Sequence, residues 1–568
     1  MSTVSAVGQA KAAGKTGREL LIEQFLADGI TYMFGNPGTV EQGFLDSLEE
    51  YPDFKYVLTL QETIAVGIAD GYARATGDVG LVQLHSGVGL GNGVGMMYQA
   101  MRGHAPLVVV AGESGIKYDA MDAQMAADLV GIARPVTKWA TRVVDPTSLL
   151  RVIRKAIKIA RTPPMGPVFV ALPMDVLDAV IDETPVPSTR VRTRVRPDDA
   201  SLAEAAEMLV AAKRPLVLMG DGVTYSGAQA ELDTVAKLLG APVWGVNSSE
   251  VNMVGANPLY QGTTGHMFGP DSQKITHQHD AVLVVGTYVF PEVFPALTDA
   301  FAPGTRIVHI DLDAYEIGKN HVADIGLLGD PKESLAALAD VLRAKIDDAG
   351  RQRAEARAIE IGESKAEMHA AALEEDFDAR DAVPLRMSRF VQELAEQLPS
   401  DALVFDEALT NSPAISRYLS ELGAGQFFVT RGGSLGVGIP GALGLQVAHP
   451  GKTVVGFTGD GGGMYTIQAL WTAAHHNIPA KFVVCNNRAY KLLKLNISEY
   501  WRELDIQQHT YPHSFELFPP EIRFDLMAQS MGVASERLEK PGDVAAAIQR
   551  MLSHDGPYLI DLILGHDG

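Results

Sequence analysis

In the stretch KTVVGFTGDGGGMYTIQALWTAAHHNIPAKFVVCNN, Asp460 follows the first apolar run and Asn487 is the last residue, 27 positions further on. The stretch reads as a strand over 453–458, a glycine-rich turn, a helix and a second strand over 481–485. The helix is expected from about Met464, because Met464, Ile467, Leu470, Trp471 and Ala474 recur at helical spacing and would bury one face. In a right-handed β-α-β unit both strand ends lie at the carboxyl edge of a parallel sheet, so Asp460 and Asn487 are expected close in space. A carboxylate and an amide carbonyl are hard oxygen donors that suit Mg2+ or Ca2+, the more so when phosphate oxygens complete the shell. Glycines 461–463 let backbone N–H groups approach a phosphate at a helix start. A GDG turn alone would be a tight turn before a helix; it does not account for the paired asparagines. Asn486 is read as a turn residue and Asn487 as the cation ligand.

GDG followed by NN at this distance resembles the diphosphate-binding motif of thiamine-diphosphate-dependent enzymes. The resemblance runs along essentially the whole chain. FGNPGTVEQGFLDSL, LQETIAVGIADGYARATG, LHSGVGLGNG and GGSLGVGIPGALG are most similar to benzoylformate decarboxylase and its relatives. It implies thiamine diphosphate with Mg2+, held by Asp460, Asn487 and the backbone carbonyl of Ala489. Gly461, Gly462 and Tyr465 would face the diphosphate, with Thr410 and Tyr490 as further cofactor contacts. Leu435 would sit under the bend of the cofactor, and the backbone of Gly433 would bond its pyrimidine.

The cofactor works by losing a proton from its thiazolium ring, which requires a carboxyl group bonded to the aminopyrimidine. Such a group serves best in an apolar pocket, where burial favours its protonated form. Glu62, between the strand YVLTLQ and the helix TIAVGIADGYA, matches that position, in surroundings that read as apolar. Taken alone it would be an acidic residue favoured by a helix start. His85, at a strand end before SGVG, matches a catalytic histidine of the decarboxylases. Thr39 takes the place of a serine that contacts the substrate carboxylate. The resemblance also implies that Glu62 and Asp460 meet across a subunit interface, in a homodimer or homotetramer.

Three departures bear on the substrate. Val293 stands where the decarboxylases carry a second catalytic histidine. Leu492 and Asn496 replace a small and an aromatic pocket residue. Arg488 replaces a glycine, and is expected to point toward the diphosphate or an anionic substrate group. His509 and His513, in QQHTYPHSF, are candidates for the missing proton donor or members of a solvated loop. The reading is decarboxylation of a 2-oxo acid to an aldehyde. The alternative is a carboligase or lyase, similar to acetohydroxyacid synthase or 2-hydroxyacyl-CoA lyase. A non-catalytic protein on this fold would be expected to have lost Glu62 or the metal ligands, and all are present.

The elements that must position these residues alternate strand and helix over 568 residues. The pattern predicts an α/β chain of three doubly wound parallel-sheet domains: pyrimidine-binding (16–181), central (199–345) and diphosphate-binding (380–568). DETPVPSTRVRTRVRPDDAS reads as a linker. Similar strand spacing in the first and third blocks suggests a duplication. GDGV at 220–223 assigns no nucleotide by itself. A net charge of −22 argues against nucleic acid or an anionic membrane as partner, and no apolar run is long enough to span a bilayer. The N-terminus reads as a frayed lead-in without a signal peptide, and a single cysteine, Cys485, fits a reducing cytoplasm.

Overall fold

Three six-stranded parallel sheets carry the chain in the computed structural model, which describes residues 14–246 and 248–565. Residues 1–13 of the expected lead-in lie outside that range. Contacts divide the chain into two compact units, one ending at Val191 and the other starting at Arg192, within the expected linker.

The first unit holds β1 (Tyr32–Gly35), β2 (Lys55–Leu58), β3 (Gly80–His85), β4 (Leu107–Glu113), β5 (Trp139–Arg142) and β6 (Val168–Pro173). Their order is β2-β1-β3-β4-β6-β5. β4 and β6 are buried along their whole length, which is why they read as unbroken apolar runs. Helix α1 (Glu62–Thr76) follows β2, and α2 (Ser86–Arg102) follows β3 without an intervening loop.

The second unit carries two sheets. One comprises β7 (Pro215–Met219), β8 (Val243–Gly245), β9 (Tyr260–Thr263), β10 (Ala281–Val285), β11 (Arg306–Asp311) and β12 (Ile325–Leu328), ordered β9-β8-β7-β10-β11-β12. At its switch point the GDGV turn is bonded to the neighbouring strand end: Gly220 N–H donates to Val285 O and Gly222 N–H to Gly286 O, both at 3.0 Å. Asp221 is buried and accepts from Ser249, Glu250, Asn252 and Arg431, so this turn serves packing. Helix α3 (Asp348–Asp378) then leads to α4 (Met387–Gln397) and the last sheet.

That sheet comprises β13 (Leu403–Glu407), β14 (Phe427–Val429), β15 (Val454–Gly459), β16 (Lys481–Asn486), β17 (Ala534–Leu538) and β18 (Tyr558–Ile563), ordered β14-β13-β15-β16-β18-β17. The first and last sheets thus share one strand order. The helix expected from Met464 is instead two short helices, α5 (Asp460–Tyr465) and α6 (Ala469–His475). Thr466 leaves helical geometry at φ −138° while its hydroxyl donates to Gly436 O at 2.7 Å. Met464 is therefore exposed, and the buried face is built from Ile467, Ala469, Leu470 and Ala473. Helix α7 (Lys491–Glu503) follows the paired asparagines.

Candidate functional site

Asp460 opens α5 at the carboxyl end of β15, and the next strand, β16, delivers Asn487 beside it. Asp460 is 4% exposed. One carboxylate oxygen accepts the Arg488 N–H at 2.6 Å and the other the Gly461 N–H at 2.8 Å. Burial pushes its carboxyl up to about 6, against backbone N–H groups that favour the charge. Those donors are all main-chain, so a buried anion stands here without a bonded cationic side chain among the described residues. Burying an unpaired charge is costly. The remaining donors, the Asn487 amide and the Ala489 carbonyl, are neutral oxygens on the same loop. Oxygen donors with a single negative charge suit Mg2+ completed by phosphate oxygens. Asn487 Oδ1 accepts the Ala489 N–H at 3.0 Å, and the Ala489 carbonyl accepts from Lys491 at 2.9 Å, which fixes the turn.

Asn486 is not a turn residue. It ends β16 in register with Ile563, and its buried amide donates to Asp561 at 2.9 Å.

Gly461 lies against the ring of Tyr490: a Cβ at 461 would come within 2.3 Å of it. The space in front of α5 is thus shaped by a residue without a side chain, as a diphosphate cradle requires. Tyr465 is exposed and Thr410 half-buried on a turn next to Asn487.

Arg488 does not point at a free anion. Its guanidinium holds Glu521 at 2.6 Å and lies 5.7 Å from the ring of Phe518, while Glu521 also holds Arg537 at 2.6 Å. Its backbone takes φ +63°, the left-handed region that glycine enters freely. This accounts for the glycine of the resembling motif. Segments 488–490 and 515–517 are zipped by Tyr490 N–H to Phe515 O at 2.8 Å and Leu517 N–H to Arg488 O at 2.9 Å. The Arg488–Glu521 pair closes the same clasp.

The loop carrying Gly433 and Leu435 is anchored by Glu407, a residue no motif had singled out. Glu407 is 1% exposed at the end of β13. It accepts the N–H groups of Gly436, Val437 and Gly438 at 2.6, 3.1 and 2.7 Å, and the Thr458 hydroxyl at 3.0 Å. Burial pushes its carboxyl up to about 7. Leu435 is half-buried and Gly433 exposed, so the loop presents both at its surface.

In the first unit Glu62 is 7% exposed at the start of α1. Its surroundings are less apolar than the sequence suggested: Asn36 donates to one oxygen at 3.3 Å and Asn92 to the other at 2.9 Å. His85 ends β3, and Ser86 after it adopts φ +49°. The His85 Nδ1 lies 2.8 Å from Oε2 of Glu41, and Glu41 Oε1 accepts the Gly112 N–H at 2.9 Å. Glu41 is 3% exposed, and burial raises its carboxyl above the usual range against the opposing pull of His85. Only glycine fits at 38, where a Cβ would fall 1.9 Å from the imidazole. Thr39 is exposed on the same turn as Glu41. Sequence reasoning missed Glu41, although its place two residues after Thr39 in GTVE was a signal.

Leu492 and Asn496 lie four residues apart on α7, share one face and are half-buried. Val293 is exposed, its N–H bonded to His266 O at 3.2 Å. His509 rests on the Trp501 ring with 4.4 Å between centroids, and both it and His513 are exposed, as a solvated loop requires.

Three family profiles match the chain: the N-terminal thiamine pyrophosphate binding domain over 15–132, the thiamine pyrophosphate enzyme central domain over 202–338, and the C-terminal binding domain over 411–562. Benzoylformate decarboxylase of Pseudomonas aeruginosa is 29% identical over 96% of this chain and 98% of its own. The acetolactate synthase large subunit of Lactococcus lactis is 26% identical over 97% and 92%. Among solved structures, the thiamine diphosphate-dependent 4-hydroxybenzoylformate decarboxylase of Rhodococcus jostii superposes with a TM-score of 0.83 at 26% identity, over 97% of this chain and 99% of that one.

Proposed function

This chain belongs to the thiamine pyrophosphate enzyme family, and from that premise we propose that it decarboxylates a 2-oxo acid to an aldehyde, using thiamine diphosphate and Mg2+. Thiamine diphosphate, when bound, would supply a carbon acid able to serve as nucleophile toward a ketone and as acceptor of the electron pair released with CO2. Asp460, Asn487 and the Ala489 carbonyl hold the cation. Gly461, Gly462, Tyr465, Thr410 and Tyr490 border the diphosphate, and Gly433 and Leu435 meet the ring end of the cofactor.

Glu62 exchanges the proton on the aminopyrimidine, its two oxygens set by Asn36 and Asn92. Buried Glu41 takes His85 Nδ1–H and so leaves Nε2 as the nitrogen for the substrate. Thr39 offers a hydroxyl to the substrate carboxylate, and Leu492 and Asn496 form a pocket wall. The working unit is a homodimer or homotetramer of a cytoplasmic protein; no described helix is long and apolar enough to cross a membrane.

The His85–Glu41 pair carries the choice of decarboxylase. Release of an aldehyde requires a proton delivered to carbon, and an imidazole oriented by a buried carboxylate is built to deliver one. A carboligase passes the same carbon to a second carbonyl instead. That second reading is supported by the comparable likeness to acetolactate synthase. Assaying CO2 release from a panel of 2-oxo acids, with and without an added aldehyde, separates them. Release without acceptor supports the decarboxylase; strict dependence on acceptor supports the carboligase.

A further inference from the structure

Asp221, in the turn after β7, reaches beyond the turn it packs. The N–H groups of Ser249 and Glu250 hold its carboxylate at 3.0 and 3.1 Å, and Asn252 Nδ2 holds it at 3.0 Å. Its Oδ2 also accepts Nη1 of Arg431 at 2.6 Å, and Arg431 lies two residues beyond β14 of the last sheet. Only 1% of the Asp221 side chain and 7% of the Arg431 side chain are exposed. Arg431 Nε has no hydrogen-bond partner among the described residues. The Val429 N–H donates to Ser249 O at 2.8 Å, so a backbone bond joins the same two segments. Arg431 opens the segment that carries Gly433 and Leu435. Glu407 closes that segment by holding the N–H groups of Gly436, Val437 and Gly438. Between the two anchors Gly432 and Gly433 take φ +87° and +77°, a left-handed pair whose freedom leaves the path of the segment to be set from its ends.

We infer that Asp221, acting through Arg431, is a positioning residue for the ring end of the cofactor. A turn of the β7 sheet thus sets the ring geometry by way of a segment of the last sheet. The inference rests on the proposed contacts of Gly433 and Leu435 with thiamine diphosphate. A buried guanidinium needs a carboxylate to offset its lost hydration, and that need ties the start of the segment to Asp221. With the pair broken, Glu407 still holds the far end, and Asp460 and Asn487 still hold the diphosphate end of the cofactor. What moves is Gly433 and Leu435 against the rings, and so the distance between the aminopyrimidine and the thiazolium C2. Misplacing reacting groups by about 1 Å costs up to about 100-fold in rate.

The test compares wild type, Arg431→Gln and Arg431→Lys as full chains saturated with thiamine diphosphate and Mg2+. It reads hydrogen–deuterium exchange at the cofactor C2 alongside cofactor affinity and Tm. Arg431→Gln should slow exchange about tenfold while cofactor Kd stays within about threefold. Arg431→Lys keeps the charge and should return exchange to within about threefold of wild type. A lowered Tm with wild-type exchange in folded Arg431→Gln makes the pair structural only and overturns the inference. So does slowed exchange that Arg431→Lys does not restore, or a weakened Kd with normal exchange once the cofactor is saturating. If Arg431→Gln does not fold, Asp221→Asn, which leaves Arg431 an amide oxygen as partner, is read by the same criteria. A wild type that takes up no thiamine diphosphate refutes the functional reading itself, and this inference with it.

Discussion

At position 488 the backbone sets the requirement and the side chain adapts to it. A left-handed arginine costs about 1 kcal/mol relative to glycine, and an exposed ion pair returns about 0–1 kcal/mol. Arg488→Gly should therefore change stability by less than about 1 kcal/mol and leave the KM for substrate within twofold. A severalfold rise in KM in steady-state assays would restore the substrate role that the sequence suggested. Glu41 makes a sharper case. Glu41→Gln keeps a hydrogen-bond partner for His85 but no longer enforces the tautomer with Nε2 free. It should lower kcat about 10- to 100-fold with little change in cofactor affinity. Asp460, Asn487 and Glu62 were legible because a motif fixes residue type and spacing together. Glu407 was not, since it acts on partners dozens of residues away and a single glutamate at a strand end carries no pattern; Glu41 had only its place beside Thr39 to mark it, because its partners His85 and Gly112 are equally remote in sequence.

Loops and helix ends show where periodicity stops informing. The apolar spacing from Met464 onward predicted one helix, but Thr466 is diverted to Gly436 and splits it. Glu407 does the corresponding work from β13 by gathering three N–H groups of the 436–438 turn. Its carboxyl is raised from 4.5 to about 7, so the folded chain holds this proton more tightly than the unfolded chain. That contribution to stability is full below about pH 4.5 and is lost as pH rises through about 7. Glu407→Gln removes the titration and also weakens the loop by about 2 kcal/mol through imperfect pairing. Urea midpoints measured from pH 5 to 8 should show the wild type losing stability relative to the variant as pH rises. A constant difference across that range would contradict this assignment.

For the molecule as a whole, alternating strand and helix made the three parallel sheets legible, and similar strand spacing foreshadowed the shared order of the first and last. The division into two compact units was not legible, because it depends on which faces pack together. An unpaired buried carboxylate at the cradle predicts strong coupling between ligand and stability. Thiamine diphosphate with Mg2+ at 100 times its Kd should stabilise the fold by about 2.7 kcal/mol, seen as a rise in Tm that EDTA reverses. The most direct test of the account follows hydrogen–deuterium exchange at the thiazolium C2 of bound cofactor, read by NMR after acid quench, in wild type and Glu62→Gln. The account predicts exchange accelerated by orders of magnitude in the wild type and slowed at least about 100-fold in Glu62→Gln, with the cofactor still bound. Equal exchange rates in the two proteins would contradict it.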